Sequence, residues 1–159
     1  MPMSEQKPLL MMLDSQKTMF DRSTGALDEG DSGFAPQEGL MTVAQQVAHV
    51  AQSLDWFIEG AFERPDGPDL DFEGHMKKVL QVTSLAAARE WMDRSWARAK
   101  EALASRTDAD LDEPFAGELF GGQPKRALVD MNADHVAHHR GALTVYARLL
   151  GKTPPMPYM

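Results

Sequence analysis

Three of the five histidines in this chain fall within five residues of one another, at His135, His138 and His139. On an α-helix, residues four apart in sequence lie about 40° apart around the axis and about 6 Å apart along it. The imidazoles of His135 and His139 would then point the same way from adjacent turns, an arrangement that can bind one metal ion. His138 points about 100° away from His139, so we interpret it as a supporting or surface residue.

The sequence around these histidines predicts a helix over residues 126–150. Its inward-facing positions recur with the period of about 3.6 residues expected for an α-helix. They are Leu128, Met131, His135, His139, Ala142, Tyr146 and Leu149. Gly151 and Pro154 then give a stop signal. Both histidines therefore lie on the face that should pack against other helices, where an imidazole is costly unless a hydrogen bond or a metal ion satisfies it.

A histidine pair does not by itself establish a metal site, because a core histidine is often satisfied by hydrogen bonds alone. Val136 follows His135, so the HExxH pattern with its glutamate base is absent. Two imidazoles also leave a metal ion incompletely coordinated. A metal role for the pair would require at least one further ligand from another part of the chain.

The composition limits the partners and the chemistry. The chain has 159 residues, of which 43% are hydrophobic and 25% charged, which is typical of one soluble domain over residues 1–159. A net charge of −8 argues against nucleic acid as a partner, because phosphate binding needs a basic surface. The chain has no cysteine, so any thiol chemistry would need a small-molecule thiol. The apolar run at residues 9–13 is too short for a signal peptide or a membrane span, which favours a cytoplasmic protein without a membrane partner.

Three further segments have the apolar periodicity of amphipathic helices. They cover residues 6–27, 42–62 and 84–104. Thr42 is a plausible N-cap of the second helix, and Thr83 or Ser84 of the third. Four long helices without a convincing strand predict an all-α four-helix bundle. The two long connections indicate that the bundle is not a simple up-and-down meander.

The connections between these helices show less pattern. Prolines and a glycine at residues 65–68 interrupt the chain, and the acidic residues after them predict a solvated loop over residues 63–82, with His75 on the surface. The acidic spacing does not match an EF-hand. Residues 105–127 predict a long loop with a short extended piece over residues 115–120, and a loop of this length often packs over a functional site.

His49 lies on the second face of the second helix. This position is about 160° around the helix from Val47, on a mixed face that also carries Gln45, Ser53 and Trp56. Such a face can line a cleft, but helical geometry alone favours a surface position for His49.

The chain resembles the DinB-like superfamily of metalloenzymes in three separate segments. They are HVAHHRG at residues 135–141 with the helix and proline tail that follow, VAHVAQSLDWF at residues 47–57, and DLDEP at residues 110–114. The resemblance spans nearly the whole chain and is weakest over residues 63–82. It implies a four-helix bundle with up-down-down-up connectivity.

The resemblance also implies a metal site of three histidines, one from the second helix and two from the last. In this chain they are His49, His135 and His139, and the implied cofactor is a divalent metal ion such as zinc, nickel or iron. One position departs from the family pattern, because Ala142 stands where a glutamine often follows the glycine. Any contact that the glutamine side chain makes is therefore absent.

Characterised members of this superfamily include thiol-dependent transferases and isomerases. We therefore expect a metal-dependent enzyme in which a low-molecular-weight thiol attacks a small substrate held by Trp56, Met131 and Tyr146, with no catalytic base assigned. The alternatives are a metal-assisted hydrolase and a non-catalytic, metal-stabilised bundle that binds a ligand. Eleven methionines and three tryptophans exceed the evident needs of a small core and favour a homodimer.

Overall fold

Six α-helices make up most of residues 6–159, the part of the chain that the computed structural model describes. They are α1 (Gln6–Ser23), α2 (Val43–Phe62), α3 (Phe72–Leu80), α4 (Leu85–Ala104), α5 (Asp108–Asp112) and α6 (Leu128–Leu149). Residues 6–159 contain no β-strand, only an isolated bridge between Pro114 and Pro124. None of the helices in this range is long and apolar enough to cross a membrane. The four long helices, α1, α2, α4 and α6, form the predicted all-α bundle.

Ion pairs between α1 and α4 show that these two helices run in opposite directions. Lys100 binds Asp14 at 2.7 Å, and Lys17 binds Asp93 at 2.7 Å. A later residue of α1 therefore faces an earlier residue of α4. Helices α1 and α4 are antiparallel neighbours.

Helices α2 and α4 run in the same direction. Trp91 Nε1 donates to Asp55 Oδ2 at 2.8 Å, and Arg98 Nη2 donates to the carboxylate of Glu63, just beyond α2, at 2.7 Å. The later residue on the α2 side therefore pairs with the later residue of α4. Parallel packing of consecutive long helices requires the long connection between residues 62 and 85.

Helices α2 and α6 are antiparallel. Gln46 contacts Tyr146, whereas His49, further along α2, contacts His135, which comes earlier in α6. Taken with the two previous pairs, the long helices run up, down, down and up. This confirms the connectivity implied by the resemblance.

The N-termini of α2 and α4 follow directly from their cap residues. Thr42 Oγ1 accepts from the Gln45 amide at 3.3 Å, while Gln45 Oε1 accepts from the Thr42 amide at 2.9 Å. This is a capping box, which satisfies two backbone N–H groups. Ser84 caps α4 by accepting from the Ala87 amide at 3.2 Å. These two starts are as the sequence predicts.

The prediction of a solvated loop over residues 63–82 is wrong for its second half. Asp71 Oδ1 accepts from the Gly74 amide at 2.9 Å and caps α3, the helix over residues 72–80. Two hydrogen bonds tie this segment to α2. Trp56 Nε1 donates to the Asp69 carbonyl at 2.7 Å, and Gln45 Nε2 donates to the Leu80 carbonyl at 3.0 Å.

The extended piece predicted over residues 115–120 is also wrong. Thr107 and Asp110 form a capping box that starts α5, and the chain then turns back so that Pro114 pairs with Pro124. Phe120 packs in this turn against the ring of Phe57, with centroids 5.9 Å apart. Ring packing rather than strand pairing holds the turn against α2.

Two smaller expectations also need correction. Helix α1 ends at Ser23 rather than at residue 27. Directly after this end, Thr24 Oγ1 donates back to the Phe20 carbonyl at 2.8 Å. Leu149, expected on the inward face of the last helix, is 60% exposed because it is the final residue of α6.

Candidate metal centre

The imidazoles of His49, His135 and His139 converge between α2 and α6. His135 Nε2 lies 3.3 Å from His49 Nε2 and 3.1 Å from His139 Nε2. Ligand nitrogens on one tetrahedral zinc ion, with bonds of about 2.0–2.1 Å, would be about 3.3 Å apart. These two distances are close to that value, and the ligand nitrogens of all three histidines lie within 4.8 Å of one another, as one shared ion requires.

A hydrogen bond cannot satisfy both short contacts of His135. If Nε2 of His135 carries a proton, it can donate that proton to only one of the two neighbours. If it carries a lone pair instead, that lone pair can accept one linear hydrogen bond. In both cases the other contact brings two nitrogen atoms together without a shared proton. A cation between the rings would satisfy all three nitrogens at once. The group is one that could hold a metal ion.

Gln46 is a contact of this site that the sequence did not single out. It lies three residues before His49, on the same face of α2, and its side chain is 7% exposed. Its Oε1 is 2.5 Å from Nδ1 of His139. A buried amide in this position controls which nitrogen of His139 carries the proton.

The direction of the hydrogen bonds around Gln46 follows from one backbone carbonyl. The Met41 carbonyl can only accept, so the hydroxyl of Tyr146 donates to it at 3.0 Å. Gln46 Nε2 then donates to the Tyr146 oxygen at 3.4 Å, which leaves Gln46 Oε1 as the acceptor for His139 Nδ1–H. The lone pair of His139 is therefore on Nε2, the atom that faces the other two rings.

The remaining two histidines lack such support. The Nδ1 atoms of His49 and His135 are buried and have no hydrogen-bond partner among residues 6–159. His139 is thus the one ligand candidate of the three whose second ring nitrogen is hydrogen-bonded to protein.

Burial keeps all three rings neutral. Desolvation, with a smaller contribution from the neighbouring histidines, lowers the pKa of His135 to about 4 and that of His139 to about 3. Burial also lowers the pKa of His49. Neutral imidazole is the form that binds metals, so at pH 7 protons would not compete for this site.

A cavity of about 230 Å³ opens beside the three rings, between α2, α3 and α6. Its lining combines two of the three candidate ligands and a further histidine with aromatic, methionine and polar side chains. The residues are His49, Gln52, Ser53, Trp56, Phe57, Phe72, His75, Met76 and His135. Such a cavity, apolar with a few convergent polar groups, is typical of a small-molecule site.

The sequence profile of the DinB superfamily matches residues 12–143 of this chain. The chain belongs to the DinB superfamily. The family resemblance seen in its helices is therefore confirmed.

Several solved DinB-like structures have the same fold. A DinB-like protein from Bacillus cereus ATCC 10987 has a TM-score of 0.74 and 21% identity, with 98% of each chain covered. YfiT from Bacillus subtilis, described as a probable metal-dependent hydrolase with an unusual four-helix bundle topology, has a TM-score of 0.70 and 17% identity, covering 94% of this chain and 89% of YfiT.

A third similar structure is that of a mycothiol-dependent maleylpyruvate isomerase. It has a TM-score of 0.71 and 18% identity over 87% of this chain, and the chain spans only 60% of that protein. At such identities the likeness shows the fold that these proteins share.

The predicted substrate contacts are divided between two environments in this DinB-superfamily chain. Trp56 lies on the wall of the cavity. Tyr146 is 6% exposed and lies behind the histidines, where its hydroxyl supports Gln46. Met131 is half-buried against the core and does not line the cavity.

His138, predicted to be a supporting or surface residue, is exposed, with its ring 4.9 Å from that of His139.

The sequence reasoning missed the wall that α3 contributes. Phe72, His75 and Met76 line the cavity, and His75 is half-buried rather than on the surface as predicted. A signal for this helix was present, since Asp71 can cap it and two lysines occupy its last turn. The nine-residue helix was too short for its apolar periodicity to stand out.

Proposed function

We propose that this chain is a metal-dependent enzyme that joins a low-molecular-weight thiol to a small apolar electrophile. In this proposal His49, His135 and His139 bind a divalent ion. The observation that carries the proposal is the convergence of three neutral imidazoles at the wall of a cavity. A site used only for structure would normally be closed by a fourth protein ligand.

The three ligands favour activation of a nucleophile. A divalent ion held there would lower the pKa of a bound thiol or water, because neutral imidazoles leave its charge uncompensated. The three rings fix its position, and Gln46 keeps the lone pair of His139 on Nε2. The chain itself has no cysteine, so a thiol nucleophile would come from a small molecule.

The cavity walls favour an apolar or aromatic electrophile. Trp56, Phe57 and Phe72 present rings to a space of about 230 Å³, which suits the reacting part of a small molecule. Ser53 and Gln52 add polar groups that could orient it. Similarity to the structure of a mycothiol-dependent isomerase supports this choice of nucleophile.

Metal-assisted hydrolysis is the second candidate. It would use the same three histidines with water in place of the thiol. The similarity to YfiT, described as a probable metal-dependent hydrolase, favours it. The two functions differ in one requirement, because hydrolysis needs no thiol.

The two candidates can be separated by one assay. Metal-loaded protein would be incubated with a chlorinated aromatic acceptor in the presence and absence of small thiols, beside His135→Ala and the matched control His138→Ala. Thiol-dependent turnover in the wild type and the control, lost in His135→Ala, is the expected result. Turnover of an ester substrate without thiol would favour the hydrolase, and wild-type activity no greater than that of His135→Ala would contradict both.

The homodimer and the cytoplasmic location stay predictions. The surface offers one feature in favour of a dimer, an apolar groove between α1 and α6 lined by Met11, Met12 and Met19. Met11 is 61% exposed and Met12 is 38% exposed. Sedimentation velocity over a range of concentrations would detect self-association.

A further inference from the structure

His75 lines the proposed reaction space from a different helix than the candidate metal ligands. It lies on α3 and lines the same cavity as His49 and His135, and its side chain is 15% exposed. Because the cavity holds only about 230 Å³, a molecule that fills it would contact both His75 and the metal-binding side. His75 is not a member of the three-histidine cluster.

The ring of His75 lies beside a carboxylate. Its Nε2 is buried, makes no hydrogen bond within residues 6–159, and lies 3.6 Å from Oδ2 of Asp69. A carboxylate beside one ring nitrogen favours a proton on that nitrogen and leaves the other, Nδ1, as a base. A modest shift of either side chain would convert this contact into a hydrogen bond.

Asp69 is well placed to orient His75. The Asp69 carbonyl accepts from Trp56 Nε1 at 2.7 Å, and its Oδ1 accepts from the Asp71 amide at 3.1 Å. The hydrogen bond from the Asp71 amide, followed by the positive charges of Arg64 and Lys78, holds the pKa of Asp69 below its usual value. Asp69 is therefore a fixed carboxylate at neutral pH.

The charged and titratable groups around His75 come from the segment before α3, from α3 itself, and from α2 and α6. Arg64 Nη1 lies 3.9 Å from Asp69 Oδ2 in the segment before α3, and Lys78 acts on the same carboxylate from α3 itself. His49 on α2 and His135 on α6 also line the cavity and are neutral at pH 7.

The carboxylates that lie near the candidate ligands in sequence are engaged elsewhere or exposed. Asp55 accepts from Trp91 at 2.8 Å and from Arg98 at 3.3 Å. Glu59 also accepts from Arg98, at 3.2 Å. Asp134 is exposed. None of these three lines the cavity, so His75 is the available base there.

We propose that His75, oriented by Asp69, carries the proton in the reaction at this site. The inference rests on the proposed thiol-dependent function. The thiol gives its proton to His75, and its sulfur forms a bond to the electrophilic carbon. The bond from that carbon to the leaving group breaks, the electron pair departs with the leaving group, and His75 passes the proton to a basic leaving group or, where the leaving group is chloride, to the solvent. Overall, the thiol loses one proton to the leaving group or the solvent, and nothing is oxidised or reduced.

Turnover of His75→Gln is the first test, with His138→Gln as the matched control. Loss of a positioned acid or base typically costs about 10²–10⁴-fold in rate. We expect a kcat loss in that range for His75→Gln, with KM changed less than about threefold and metal content unchanged. The acid limb of the pH–rate profile should disappear in this variant. Asp69→Asn should also lower kcat, because an amide no longer fixes which ring nitrogen of His75 carries the proton.

A second test needs no turnover. Calorimetric titration of the metal-loaded protein with 2-mercaptoethanol, in two buffers of different ionisation enthalpy, counts the protons released on binding. We expect His75→Gln to release about one more proton per bound thiol than the wild type and His138→Gln, because the buffer then takes the proton that His75 would hold.

The outcomes separate this inference from the function on which it depends. Equal proton release by all three proteins, or a wild-type kcat in His75→Gln, would overturn the role of His75 and leave the thiol-dependent function intact. Failure of the wild type to bind metal or the thiol would overturn both.

Discussion

At the scale of single residues, the site depends on which nitrogen of each histidine carries its proton. The chain of hydrogen bonds from the Met41 carbonyl through Tyr146 and Gln46 fixes this for His139. Its direction is set at the carbonyl, which can only accept. The nitrogen that faces the other rings is therefore ready to bind a cation.

Replacing Gln46 should weaken metal binding without removing a ligand. In Gln46→Leu, His139 Nδ1 loses its acceptor, and losses of this kind typically cost about 10–100-fold in metal affinity. Competition with a chromophoric chelator measures the affinity. Gln81→Leu, at an exposed position, should bind as the wild type does. Equal affinity in Gln46→Leu and the wild type would show that Gln46 does not support the site.

The buried histidines should make the metal-free protein sensitive to acid. Their folded-state pKa values, about 4 for His135 and about 3 for His139, lie below the ordinary value of 6.5. Between these values the unfolded chain binds protons that the folded chain excludes, so stability is complete above about pH 6.5 and falls as the pH drops towards 4.

Thermal melts of the metal-free protein between pH 7.5 and 4.5 test this dependence. The melting temperature of the wild type should fall more steeply with decreasing pH than that of His139→Gln, in which one such group is gone. Parallel curves for the two proteins would contradict the assignment of the pH dependence to His139.

Residue patterns predicted part of this site. The four-residue spacing pointed to His135 and His139 together, because one helix fixes their relative positions. His49 could not be found in this way. A helical wheel shows on which face of α2 it lies, but does not show that α6 packs against that face. Gln46 gave no signal, because a glutamine has no spacing rule that marks it as a partner of a histidine 93 residues away.

At the scale of elements, the long helices were predictable and the short ones were not. The starts of α2 and α4 follow from Thr42 and Ser84, whose hydroxyls cap the helices locally. Helix α3 depends on contacts with α2, such as the hydrogen bond from Trp56 to Asp69. Such contacts between residues distant in sequence are not visible in a local pattern.

The close approach of the segment before α3 to α2 can be tested at Gly60. A Cβ at this position would lie 2.6 Å from Cγ and 2.8 Å from Cα of Pro68, so the proline and its backbone would have to move. We expect Gly60→Ala to destabilise the fold by about 1–3 kcal/mol, the usual cost of overpacking, and to disturb the cavity wall.

Gly141 is the matched control, since a Cβ there meets nothing within 4 Å. Gly141→Ala in the interior of α6 should stabilise the protein by up to about 1 kcal/mol, because alanine is the better helix former. Urea unfolding of both variants measures the difference. Equal midpoints for the two would show that the contact with Pro68 does not constrain the segment.

At the scale of the whole molecule, the up-down-down-up order explains how the site forms. Parallel α2 and α4 leave the second face of α2 free to meet α6, which returns from the far end of the chain. The ligand candidates of α2 and α6 are 86 residues apart in sequence and come together only through this packing. Helix α3 then packs against α2 and forms a further wall of the cavity.

Metal analysis of protein purified without an affinity tag tests the central claim most directly. Elemental analysis would be made of the wild type, His49→Ala and the control His138→Ala. We predict close to one divalent ion per chain in the wild type and the control, and little metal in His49→Ala. A wild type without bound metal that also fails to take up zinc, nickel or iron, or a His49→Ala variant with full metal content, would contradict the three-histidine site.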